Sequence, residues 1–129
     1  MRRVLLDSSF LLGITELSVG MEELISIYPK AELITTKSVI RELEKLAERK
    51  RGAKVAMEVV RRYGVRVLEE FDREADEDIV RAAKELGCAV ATFDLELKNK
   101  LLREGIPVVY LRAKKKLILE DPSKLSEEY

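Results

Sequence analysis

The chain is predicted to be a single α/β domain: a central parallel sheet of about five strands with helices on both faces. Short apolar runs alternate with amphipathic segments along most of its length, a pattern that calls for right-handed crossovers between parallel strands. At 129 residues, with 47% apolar and 37% charged side chains, it has enough chain for one core and too much apolar content for disorder. No repeat or low-complexity segment interrupts it.

Val4-Leu5-Leu6 reads as the first buried strand, and Asp7-Ser8-Ser9 reads as the cap of the helix after it. A helix over Met21 to Tyr28 is stopped by Pro29, and Glu32 to Thr35 is the second strand. The next helix starts at Thr36 or Lys37, buries Val39, Ile40, Leu43, Leu46 and Ala47 at helical spacing, and carries Glu42 in its first turns. Arg49-Lys50-Arg51-Gly52 breaks that pattern before another amphipathic helix that ends near Gly64.

Val65 to Leu68 is the third strand. Asp76 to Leu86 is helical with Gly87 as its C-cap, Cys88 to Thr92 is the fourth strand, Leu95 to Arg103 is helical, and Ile106 to Leu111 is the fifth strand. Residues 1–112 are expected to form the domain, with 113–129 as a loosely held extension.

Composition limits the chemistry. The 24 basic and 24 acidic side chains cancel, so any nucleic-acid contact is regional. His is absent, which removes the commonest general base and leaves carboxylates to do acid, base or metal work. Cys88, in the apolar run Gly87 to Ala91, has no activating His and reads as packing. Scarce amides and abundant Lys, Arg and Glu match the thermophile pattern. No apolar stretch approaches ~20 residues, and Met1-Arg2-Arg3 is too short for a targeting region, so a cytoplasmic protein without a membrane span is expected.

Four acids stand out by position. Asp7 and Asp94 follow strands, and Glu42 and Asp76 lie near the starts of helices that can point the same way. Ligands of such sheets sit beyond the carboxyl ends of the strands. Converging carboxylates repel unless a divalent cation joins them, and oxygen ligands suit one or two Mg²⁺ or Mn²⁺ ions acting on a phosphodiester. Ser8, Ser9 and Thr92 stand beside the outer acids as hydrogen-bonding supports or helix caps. Asp7 and Asp94 also fit helix caps, so the two roles remain open at this level. Lys45, Arg49, Lys50, Arg51 and Lys98 are candidate phosphate contacts, with surface ion pairing as the alternative. Tyr28, Tyr63 and Tyr110 are read as packing residues at element ends.

Taken in order, Leu6 to Leu11, Val39 to Leu43, Ala75 to Val80 and Ala91 to Lys98 resemble the four motifs of the PIN-domain nucleases. The resemblance runs from Val4 to Leu111 and is closest to the archaeal and eukaryotic branch that processes small-subunit ribosomal RNA. It implies a divalent-metal-dependent endoribonuclease with Asp7, Glu42, Asp76 and Asp94 as its metal-binding catalytic acids, and Asp78 as a further candidate ligand. RNA, ribosomal precursor particles and a second copy of the chain are the implied partners. Where the family often carries Asn, this chain has Ser9 and Phe93, and Phe93 has no side-chain hydrogen bond to offer. The alternatives are the toxin nuclease of a toxin-antitoxin pair and an RNA-binding scaffold in ribosome assembly that cleaves weakly.

Overall fold

In the computed structural model, which describes residues 2–123, twelve elements follow one another. They are β1 (Arg3–Leu6), α1 (Ser8–Glu16), α2 (Met21–Ile27), β2 (Glu32–Thr36), α3 (Lys37–Ala47), α4 (Arg51–Arg62), β3 (Arg66–Leu68), α5 (Ala75–Leu86), β4 (Ala89–Ala91), α6 (Leu95–Arg103), β5 (Val108–Arg112) and β6 (Lys116–Glu120). The expected alternation is present. The sheet order is β3-β2-β1-β4-β5-β6, and every pair is parallel except β5 with β6.

That order has a functional consequence. From β1 the chain winds to β2 and β3 on one side and reaches β4 and β5 on the other, so the switch in direction falls between β1 and β4. A crevice opens beyond the carboxyl ends of strands at such a point. Asp7 ends β1 and Asp94 lies just past β4, and the two strands are paired in register, Leu6 opposite Ala91. The Asp7 N–H extends that pairing by donating to the Ala91 carbonyl at 3.0 Å.

The core explains the strand assignments. Val4, Leu5, Leu6, Ile34, Val90 and Val108 are fully buried, as expected for central strands covered on both faces. Phe10, Leu11, Leu24, Val39, Leu43, Ile79 and Leu101 bring the helices onto them. Gly87 ends α5 at φ 64°, the left-handed conformation that a helix C-cap requires and that glycine adopts without a side-chain clash. Cys88 is buried, and burial pushes its thiol up to about 11, which fits packing rather than nucleophilic chemistry.

The tail differs from expectation. Residues 113–120 are not a loose extension: β6 pairs antiparallel with β5 from Val108↔Glu120 to Arg112↔Lys116, and Leu117 is buried. Lys114-Lys115-Lys116 masked the signal, because the turn and the strand start share a charge run while the strand's apolar residues, Leu117 to Leu119, are only three. Ala113 and Lys114 take positive φ values of 53° and 58° to make the reversal. Residues 124–129 of the expected extension, and Met1 of the short basic start, lie outside the described residues. Among the described residues no helix is long and apolar enough to cross a membrane.

Candidate active site

Asp7 is the deepest of the four acids, only 2% exposed. It occupies the N-cap position of α1, yet its side chain caps nothing. Its Oδ2 instead accepts the Ser9 hydroxyl and the Thr92 hydroxyl, each at 2.7 Å. The alternative left open by the sequence, that Asp7 is simply a helix cap, is therefore removed. Two hydroxyl donors also fix the carboxylate's rotation, and its Oδ1 is left buried without a hydrogen-bond partner. A buried acceptor of this kind costs about 1–3 kcal/mol unless something meets it.

Ser9 and Thr92 tie the ends of β1 and β4 together. Their hydroxyls lie 3.0 Å apart, the Phe93 N–H donates to Ser9 Oγ at 3.0 Å, and the Asp94 N–H donates to Thr92 Oγ1 at 3.1 Å. Asp94 does cap its helix, accepting the Leu97 N–H on Oδ1 at 3.1 Å; capping engages that oxygen alone. Ser8 is the first residue of α1 and is half-buried. Phe93, which cannot take the hydrogen-bonding part of an amide, packs edge-on against Phe10 with ring centroids 5.2 Å apart and lies over Gly13. A Cβ on Gly13 would overlap the Phe93 ring, so α1 passes close to the motif only because position 13 has no side chain.

Glu42 and Asp76 reach the site from helices that are pinned to each other's loops. Thr36 caps α3 by accepting the Val39 N–H, and the Ser38 N–H donates to the Phe71 carbonyl at 3.1 Å. Arg41 pairs with Asp72 at 2.6 Å, joining α3 to the loop that leads into α5. Glu74 caps α5 by accepting the Asp76 and Glu77 N–H groups. Asp76 and Glu42 are both exposed on the rim.

The acids feel one another. The Asp76 carboxyl is pushed up to about 6, first by partial loss of solvent and then by the negative charges of Asp7, Glu74, Asp94 and Glu42. All four sequence-predicted acids thus share one electrostatic neighbourhood. Glu74 is an addition the sequence did not single out, since it lies before the helix in an acidic run. Asp78 behaves differently: it is 1% exposed, its Oδ2 accepts the Arg73 N–H at 2.8 Å, and it is not among the main contributors to the field at Asp76. Its Oδ1 is, with Asp7 Oδ1, one of two buried side-chain oxygens without a partner among the described residues.

Mg²⁺ or Mn²⁺ needs oxygen ligands with negative charge to offset. Among the described residues no three acids or thiols stand close enough to be a ready-made ligand cluster, so the fit rests on Asp7 Oδ1 and on the shared field at Asp76. Both are features that the charge of a divalent cation would offset.

The candidate phosphate contacts fall in two places. Arg49, Lys50, Arg51 and Lys54, with Ala47 and Glu48, line an open pocket of about 470 Å³ at the α3–α4 turn. None of these cations, nor Lys45, makes an ion pair among the described residues. Lys98 is on the other side, its ammonium 4.1 Å above the Tyr110 ring. Tyr28 is buried and Tyr63 donates to Glu22, as packing residues would.

Residues 4–114 match the family described as "PIN like domain". Ribonuclease VapC9 of Archaeoglobus fulgidus is 38% identical over 95 residues, covering 70% of this chain and 68% of that protein. Ribonuclease VapC4 of Methanocaldococcus jannaschii is 29% identical over 125 residues, covering 89% and 94%. Among solved structures, the PIN domain endonuclease Utp24 superposes with a TM-score of 0.79 at 25% identity, over 92% of this chain and 91% of that one. A domain of a functionally unknown protein from Methanocaldococcus jannaschii gives a TM-score of 0.63 at 21% identity, over 92% and 96%, a likeness of fold.

Proposed function

This chain belongs to the PIN like domain family, and from that premise we propose that it is a divalent-metal-dependent endoribonuclease working through Asp7, Glu42, Asp76 and Asp94. The observation that carries the reading is the mutual field of these acids at Asp76, beside a buried Asp7 oxygen that lacks a partner. A bound Mg²⁺ or Mn²⁺ would supply Lewis-acid polarisation of a phosphodiester and a water acidified for attack. Asp7, fixed by Ser9 and Thr92, presents Oδ1 in one orientation. Asp94 is held by its own cap and by the Thr92 contact. Glu42 and Asp76 close the site from the helices, and a bound cation would offset the negative charge that raises the Asp76 pKa. Arg49 to Arg51 are positioned to attract the RNA backbone.

The sequence resemblance favours ribosomal RNA processing as the biological role, and the fold likeness to the PIN domain endonuclease Utp24 supports an endonuclease. The curated relatives favour the other nuclease reading, since both are VapC ribonucleases, the toxin class. We therefore place the toxin nuclease of a toxin-antitoxin pair ahead of ribosomal processing and of a weakly cleaving scaffold.

The test is cleavage of labelled RNA by the purified chain with Mg²⁺, Mn²⁺ or EDTA, paired with induced expression in a bacterial host. Metal-dependent cutting and growth arrest, both lost in Asp7→Asn, are expected. Cutting of precursor ribosomal RNA without growth arrest would restore the processing role. RNA binding without metal-stimulated cutting would establish the scaffold.

A further inference from the structure

A groove of about 260 Å³ opens beside the acid site, lined by Asp76, Glu96, Leu97, Lys100 and Arg103. Asp76 is the link, because this site acid, in the first turn of α5, itself lines the groove. Glu96, Lys100 and Arg103 stand at i, i+4 and i+7 on α6, so they share one helix face over roughly 10 Å of axis. Leu97, which also lines the groove, and Leu101 are both buried and anchor that helix on the core.

The two cations are uncommitted. Neither Lys100 nor Arg103 makes an ion pair among the described residues. They contribute to the field that lowers the Glu104 pKa, but the direct partner of Glu104 is Lys84. Lys98, a third α6 cation, is instead drawn onto the Tyr110 ring. A polyanion approaching four carboxylates is repelled, and cations at the mouth of the site offset that repulsion locally.

We infer that this α6 groove is a substrate subsite in which Lys100 and Arg103 hold the RNA backbone phosphate next to the one cleaved. The inference rests on the endoribonuclease reading and adds a phosphate-binding region on α6 to the one proposed at the α3–α4 turn. The RNA strand then runs from the acid site along the α6 face that carries Lys100 and Arg103. Glu96 works against the contact by charge and sets its strength.

The test measures binding of a labelled RNA oligonucleotide across a salt series in the Asp7→Asn background, where cutting does not confuse the readout. Replacing both Lys100 and Arg103 by Gln should flatten the slope of log K against log salt by about 0.7, the loss of one phosphate contact on a single strand. Glu96→Gln should tighten binding, and Lys100→Arg alone should keep the parental slope. In the otherwise unaltered enzyme the Lys100/Arg103 double variant should raise KM with kcat retained.

Thermal unfolding of the double variant, matched to the parent, confirms that it is folded. An unchanged slope and KM, in an enzyme that does cut RNA, would overturn the subsite and leave the nuclease reading standing. A flattened slope in a protein that binds but never cuts would support the subsite and overturn the nuclease. If a polyglutamate peptide displaces the RNA from the parent as effectively as unlabelled RNA does, the RNA assignment of the groove fails.

Discussion

The Thr92 hydroxyl donates to Asp7 Oδ2 at 2.7 Å across 85 positions of sequence. With Ser9 as the second donor to the same oxygen, this contact turns a flexible carboxylate into a fixed one and aims Oδ1 away from the hydrogen-bond network. Supports of this kind typically change metal affinity or activity by 10–100-fold when removed.

Thr92→Val should therefore lower Mn²⁺ affinity and cleavage by about 10–100-fold while the chain stays folded. Asp7→Asn should abolish cleavage, because an amide supplies neither the charge nor the second acceptor oxygen. Isothermal titration with Mn²⁺ alongside single-turnover cleavage checks both. A Thr92→Val enzyme with parental metal affinity would show that the contact is only structural.

Gly13 and Phe93 form a second dependent pair. Replacing an interior helical glycine by alanine ordinarily stabilises by about 1 kcal/mol, but here the new Cβ overlaps the Phe93 ring, and overpacking typically costs ~1–3 kcal/mol. Gly13→Ala should lower the urea midpoint, and Gly13→Ala combined with Phe93→Ala should destabilise by less than the sum of the single changes. Additivity of the two would mean that the ring moves aside at no cost.

Asp76 makes stability depend on pH in a defined direction. Its folded pKa, about 6, lies above the ordinary aspartate value of 3.8, so the folded state binds the proton more tightly than the unfolded state. This contribution is fully present below about pH 3.8 and is lost as pH rises through 6. In EDTA at pH 7, Asp76→Asn should unfold at higher urea than the parent, and the difference should vanish near pH 4. A variant that is no more stable at pH 7 would show that the acids' field is screened out.

Cation binding should reverse that penalty. Mn²⁺ at 100 times its dissociation constant is expected to stabilise the folded chain by about 2.7 kcal/mol, with the gain lost in Asp7→Asn. Differential scanning calorimetry across a metal series reads the effect directly. Equal gains in parent and variant would place the cation elsewhere.

Cys88 should resist modification. With its thiol buried and pushed up to about 11, it is expected to react with a thiol reagent at pH 8 only after denaturant is added. Rapid labelling of the folded protein would contradict its assignment to the core.

The sequence by itself determined the elements and the candidate acids. Apolar runs bounded by Asp, Gly and Pro mark strands and helix ends because those residues act within a turn of their own position. Asp7 and Asp94 are legible at strand ends for the same local reason. Only the tertiary structure decided what each carboxylate does. Capping is a local choice, yet Asp7 forgoes it because Thr92 arrives from β4 and Ser9 turns toward it. Asp76 and Asp78 sit two residues apart on α5, and helix rotation sends one to the rim and the other into the interior. The edge strand β6 likewise depends on β5 being present to pair with it. Such outcomes arise from contacts between segments far apart in the chain, and no local pattern of charge or hydrophobicity encodes them.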